Sequence, residues 1–204
     1  MSSFGGFLKV TELSEEESAA RPGSGRAFLE RQRYVLPGLK AHLIFWSLMA
    51  AGLALDLWSK RAAFDYLQRQ QSDSISIIDG FLQLVERVNK GAAFGIAHGQ
   101  THLLIAVSAV ALIVIFAIFF FSGTRQKLVH VALGLFAAGV CGNLYDRIFH
   151  NGWVRDFIDV VYWPGRHWPA FNVADTMLCV GVGLLIISSL FTGKSSRKRP
   201  PQHK

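Results

Sequence analysis

Cysteine is nearly absent: Cys141 and Cys179 are the two in 204 residues, too few for a disulfide framework. Both fall inside long apolar runs and read as small buried hydrophobes. Neither has a histidine placed to activate it. The sequence also lacks the Gly-x-Ser-x-Gly elbow of serine hydrolases and the His-Glu-x-x-His pattern of zinc peptidases. His98 and His102, in "HGQTH", have the two-histidine spacing without the glutamate and read as interfacial side chains. The Gly-x-Gly-Asp motif of one group of intramembrane aspartyl proteases is missing too. Charge is scarce, at 17% of residues, against 51% hydrophobic. That balance excludes an ordinary soluble domain. No internal repeat occurs.

Four apolar runs are long enough to cross a bilayer. They are Ala41 to Trp58, Leu103 to Phe121, Leu128 to Tyr145 and Ala174 to Phe191. Backbone groups in hydrocarbon must pair within their own segment, so each run should be helical. Four spans with short connections make one small bundle.

The net charge is +7, and its placement carries more information than its size. Lys194, Arg197, Lys198, Arg199 and Lys204 follow the fourth run, and Arg125 and Lys127 lie in the short link between the second and third. Arg26, Arg31, Arg33 and Lys40 precede the first. The longer connections, Ser59 to His102 and Asp146 to Val173, carry eight Lys or Arg in many more residues. The positive-inside rule then places both termini and the short link in the cytoplasm. Lys60 and Arg61, just past the first run, argue weakly the other way. Beside a span, the basic tail is an orientation signal and calls for no nucleic-acid partner. Residues 1–40 read as a disordered cytoplasmic leader, not a cleaved signal peptide, and 192–204 as a basic cytoplasmic tail.

With that topology, the polar residues gather at the outer membrane face. Asp56 closes the first run. Asn143, Asp146 and Arg147 close the third, in "CGNLYDR". Arg155, Asp156 and Asp159 lie in "WVRDFID", and Asn172 and Asp175 open the fourth run. Each has an ordinary explanation. Asn172 and Asp175 fit a helix cap, Arg147 fits a snorkelling cation, and Asp146 and Asp159 fit structural partners for arginines or amides. Independent caps and snorkels need not converge, and ionisable groups at membrane depth are functional candidates by default. Beside them, "SISIIDGFLQLVERV" sets an Asp79-Gly80 turn between β-prone runs, Ile75 to Ile78 and Phe81 to Val88. "WVRDFIDVVYW" is β-prone as well, and its aromatics, with Trp168, suit a membrane interface. The glycines of "NKGAAFGIAHG" allow close backbone approach or a tight bend. The fold class is therefore an α-helical membrane protein, with four transmembrane helices and a small extracytoplasmic β-sheet platform.

Two carboxylates held together in a partly dry site share a proton near neutral pH. Such a pair suits amide hydrolysis: one member draws a proton from water while the other polarises the carbonyl. Asp175 is fixed by a helix end. Asp156 is the better loop partner, because Asp146 stands beside Arg147, though chemistry alone leaves that choice open. A proton-coupled carrier using the same acids, and a noncatalytic assembly factor, are the competing readings. Against a carrier, the polar residues are confined to one end and no broken helix crosses the bilayer.

At these residues the chain resembles the bacterial lipoprotein signal peptidases, or signal peptidase II. The blocks are "DLWSK" (56–60), "NKGAAFG" (89–95), "GNLYDR" (142–147), "VRDFID" (154–159) and "FNVAD" (171–175), in the family's order and spacing. The resemblance covers about Asp56 to Phe191. It implies an aspartyl endopeptidase of the bacterial inner membrane. Its substrates would be diacylglyceryl-modified prolipoproteins, cut just before the lipidated cysteine. The family's catalytic pair matches Asp156 and Asp175. Its supporting residues match Asn143, Arg147, Asn172 and Asn89, and its structural acid on the first span matches Asp56. It further implies a surface sheet and interfacial helix that embrace substrate, and sensitivity to globomycin; the chemistry needs no metal or organic cofactor, and a monomer in contact with membrane lipid is expected. Two positions depart from the family pattern: Leu57 stands where glutamine is usual, and Ala138 where a glycine is common. The membrane peptidase domain is expected over 41–191, with outer loops 59–102 and 146–173.

Overall fold

The computed structural model describes residues 36–91 and 99–192. Most of the expected leader, the tail from 193 and His98 lie outside the described residues. Among the described residues four helices are long and apolar enough to span a membrane: α1 (Leu39–Arg69), α2 (Thr101–Phe121), α3 (Lys127–Phe149) and α4 (Val173–Thr192). Four short strands join them: β1 (Ser74–Ile78), β2 (Leu82–Asn89), β3 (Val154–Trp163) and β4 (Arg166–His167). The protein is an α-helical membrane protein carrying a small antiparallel sheet.

The helix α3 is the centre of the bundle. Its buried residues include Ala132, Gly134, Ala137, Ala138, Gly139 and Gly142. Without a hydrophobic drive between helices in lipid, such small side chains let backbones approach and gain van der Waals contact. A side chain at Gly139 would come within 2.7 Å of the Ala174 carbonyl on α4. Ala138 is accommodated because Gly52 on α1 faces it, with room for no further methyl: a side chain there would meet the Ala138 Cβ at 2.8 Å. α2 shows the opposite pattern. Leu104, Ile115 and Phe119 turn inward, while Val110, Ile113 and Ile118 are exposed on a surface suited to lipid.

α1 corrects the sequence expectation. Its 31 residues make a rod of about 46 Å at 1.5 Å per residue, longer than the hydrocarbon core of about 30 Å. Residues 59–69, expected in a connection, continue the helix for about three turns. Hydropathy falls at Lys60 and Arg61, but helical periodicity persists, with Asp56, Lys60, Ala63, Phe64 and Leu67 buried along one side. The helix ends in a Schellman turn. Gln71 adopts φ 52°, its N–H donates to the Gln68 carbonyl at 3.0 Å, and Ser72 N–H donates to that of Leu67 at 3.2 Å.

The sheet order is β1-β2-β3-β4, each pair antiparallel. β1 and β2 form the expected hairpin around Asp79-Gly80, with Gly80 at φ 71°. Between the pairs Leu84–Ile158 and Arg87–Asp156 the register shifts, a bulge beside Asp156. Beneath the sheet Phe157 packs with Ala63 and Phe64, fixing the strands to the extension of α1. The separate interfacial helix implied by the resemblance is not among the described elements.

Candidate active site

α3 ends beside the start of β3, and Asp146 joins them. Its Oδ2 accepts the Arg155 backbone N–H at 3.0 Å, and its Oδ1 accepts the Arg155 guanidinium at 2.7 Å. Asp146 therefore pairs with Arg155, and with Lys60 Nζ at 3.2 Å, not with Arg147 as its sequence position implied. Pinning Arg155 from both backbone and side chain also fixes the next residue, Asp156. After the β3–β4 hairpin, Phe171 and Ile158 exchange two backbone hydrogen bonds, at 2.9 and 3.0 Å. That bridge returns Asn172 to the side of Asp156, and α4 begins at the following residue.

Asn172 and Asp175 form a reciprocal cap. The Asp175 N–H donates to Asn172 Oδ1 at 3.0 Å, and the Asn172 N–H donates to Asp175 Oδ2 at 3.2 Å. The cap explanation is correct and incomplete, because both side chains have further partners. Asn172 Nδ2 donates to Asp156 Oδ1 at 2.7 Å, and Asn143 Nδ2 donates to Asp175 Oδ1 at 2.8 Å. Asn172 is thus hydrogen-bonded to both carboxyls. The Asn89 amide adds a hydrogen bond to Asp156. Burial, then the charge of Asp175, pushes the Asp156 carboxyl up to about 7, against the opposing effects of Asn172, Asn89 and Lys60.

Asp56 lies one layer beneath. Fully buried, it accepts the Ala174 N–H at 2.8 Å and so satisfies another free amide at the start of α4. Its second oxygen accepts Lys60 Nζ at 2.8 Å. Leu57 does not disturb this pair. Lys60, which closes the "DLWSK" block and otherwise reads in the sequence only as an orientation signal, is 0% exposed and also donates to Asn143 Oδ1 at 3.1 Å. Its i,i+4 spacing from Asp56, on the face that carries Phe64 and Leu67, was the available sign.

Arg147 does not snorkel. It is 9% exposed and turns inward, donating from Nη2 to the Gly91 carbonyl at 3.1 Å. Asp159 pairs with His167 at 2.7 Å, apart from the carboxylate pair. His102 is exposed in the first turn of α2. Cys179, expected to be buried, is exposed one turn along α4 from Asp175, because this side of α4 borders an open cleft.

The cleft has a volume of about 1130 Å³. Asp156, Asp175, Asn143, Arg147 and Asn89 line its polar end. Val107 and Ala111 of α2, Val140 of α3 and Leu178 of α4 line an apolar wall. A peptide carbonyl at the polar end would meet two coupled carboxyls, one suited to remain protonated near neutral pH, while apolar substituents followed the helices.

Residues 48–191 match the family model described as signal peptidase (SPase) II. The lipoprotein signal peptidase of Rhodopirellula baltica is 35% identical over 193 residues, covering 89% of this chain and 83% of the relative. That of Geobacter sulfurreducens is 39% identical over 161 residues, covering 78% and 96%. A bacterial membrane enzyme solved by the in meso method at 2.3 Å superposes with a TM-score of 0.64 and 30% identity, over 80% of this chain and 94% of that one.

Proposed function

The chain belongs to the signal peptidase II family, and on that premise we propose that it is an aspartyl endopeptidase in which Asp156 and Asp175 together activate water. It is a multi-pass bacterial membrane peptidase that removes signal peptides from lipoproteins. In the proposed reaction the substrates are diacylglyceryl-modified prolipoproteins, cut just before the lipidated cysteine. The observation that carries the reading is the single Asn172 side chain and backbone hydrogen-bonded to both carboxyls at the floor of the cleft.

One proton is shared by the pair. The ionised member takes a proton from water as its oxygen attacks the scissile carbonyl carbon, and the protonated member donates to the carbonyl oxygen. Collapse of the tetrahedral intermediate breaks the C–N bond, with a proton passing to the leaving amine. Asn143, Asn172 and Asn89 hold the carboxyls, and Arg147 steadies negative charge at the polar end. The apolar wall of the cleft supports a substrate whose acyl chains remain in lipid.

The remaining expectations are part of the same reading. The distribution of Lys and Arg supports cytoplasmic termini and a site at the outer face of the inner membrane. A leader and a tail flank one peptidase domain over 41–191, which acts as a monomer. The test uses purified protein in detergent with a diacylglyceryl-modified prolipoprotein, followed by gel shift. Wild type should release the signal peptide, and folded Asp156→Asn and Asp175→Asn should not. Near-normal cleavage by either variant would overturn the dyad.

A further inference from the structure

We propose that Lys60 is a positioning residue for this reaction: its buried ammonium aims the Asn143 amide at Asp175 and balances the charge around the carboxylate pair. The inference rests on the dyad reading above. Lys60 Nζ has three acceptors within 3.2 Å, Asp56 Oδ2, Asn143 Oδ1 and Asp146 Oδ2, which matches its three N–H donors. With the Asn143 oxygen held by a cation, its Nδ2 faces Asp175 at 2.8 Å. The flipped amide would set NH₂ against ammonium and oxygen against carboxylate. Asn172 Nδ2 donates to the same oxygen at 3.2 Å, so Lys60, as the charged partner, and Asn172 together set which end of Asn143 the dyad meets.

The charges facing this cluster come from every element around it. The buried cations are Lys60 on α1, Arg147 on α3 and the largely buried Arg155 on β3. The carboxyls are Asp56 on α1, Asp146 on α3, Asp156 on β3 and Asp175 on α4. Arg87, opposite Asp156 on β2, and Lys90 are exposed at the rim, and His150, 3.5 Å from Asp146, is 39% exposed. Solvent screens these three far more than the buried groups. Three buried cations against four carboxyls balance when one proton is retained. Asp56 and Asp146 each have a cation within 2.8 Å, which leaves that proton to the dyad. Removing the Lys60 charge makes a second proton necessary for balance. The doubly protonated, inactive pair then persists to higher pH.

The experiment measures initial cleavage rates across pH for the full-length protein, Lys60→Met, and the charge-compensated double variant Lys60→Met/Asp56→Asn. An asparagine at 56 keeps an oxygen for the Ala174 N–H. Lys60→Met should be slower, with its optimum displaced upward by about half to one pH unit, the scale of a nearby charge. The double variant should move the optimum back toward that of wild type. A rate lowered equally at every pH, with an unmoved optimum, overturns the proposal while leaving the dyad intact. If Lys60→Met does not fold, Asp56→Asn alone decides: the proposal requires its optimum to fall, and an unchanged optimum overturns it. Failure of the dyad reading would instead appear as cleavage retained by Asp156→Asn or Asp175→Asn.

Discussion

Asn143 on α3 donates its side-chain amide to Asp175 on α4 at 2.8 Å, across the interface of these two helices. Small residues make this contact possible, since Gly139 and Gly142 bring the helix backbones close enough for a short side chain to reach. Asn143→Leu keeps approximate volume and removes the donor. Cleavage should fall by about 10²-fold, the scale of losing one oriented donor in a dry site. Initial rates in detergent measure it.

Asp156 supplies a stability prediction with a definite sign. Its folded-state pKa of about 7 lies above its ordinary value of 3.8, so the native protein holds this proton more tightly than the unfolded chain does. The associated stability is fully present below the ordinary value and is lost as pH rises through about 7. Asp156→Asn removes that loss. Its Tm should therefore exceed that of wild type at pH 8, with the difference shrinking toward pH 5, as thermal unfolding in detergent can measure.

Gly142 and Gly183 should respond oppositely to alanine. A side chain at Gly142 would collide with the Asp56 carboxylate, whereas one at Gly183 meets nothing within 4 Å. Gly142→Ala should cost about 1–3 kcal/mol through overpacking and should slow cleavage by displacing Asp56. Gly183→Ala should be neutral or stabilise by up to about 1 kcal/mol, because alanine is the better helix former. Paired unfolding curves test both.

Arg155→Met should slow cleavage by loosening β3 and, as the loss of one of the three buried cations, should also raise the pH optimum. It leaves Asp156 in place in the sequence but removes the guanidinium that ties β3 to Asp146. Cleavage should drop about tenfold, the scale on which a small misplacement of reacting groups is felt. Arg155→Lys should recover part of the loss, as a point charge without the bidentate fork. Steady-state rates for the two variants across pH compare these outcomes.

Much of the fold was legible because hydrocarbon imposes one strict rule. About twenty apolar residues must be helical, and the four runs correspond to α1–α4 with small changes at most ends. The β1–β2 hairpin was legible through Asp79-Gly80, a local signal that needs no distant partner. The three turns after Trp58 were missed because hydropathy treats Lys60 as a solvent residue, although the buried face of α1 accepts it among three oxygens. The pairing of Asp146 was misread for a related reason: Arg147 is its neighbour in sequence but leaves the helix in another direction, while Arg155 returns across a turn. The bridge between Phe171 and Ile158, which brings Asn172 to Asp156, depends on hydrogen bonds that residue types do not encode.

The length of α1 has a mechanical consequence. Asp56 and Lys60 ride on the same rod as the first span, and about three turns of it stand beyond the segment that hydropathy alone would bury. The apolar part of α1, Ala41 to Trp58, is only about long enough to span, and in a bilayer thinner than that stretch it tilts. Tilting α1 swings this lever against α4 at the Asp56–Ala174 contact and against α3 at the Lys60–Asn143 contact. A change in bilayer thickness that tilts α1 should therefore reach the two carboxyls, and the expected outcome is different cleavage rates in short-chain and long-chain lipids.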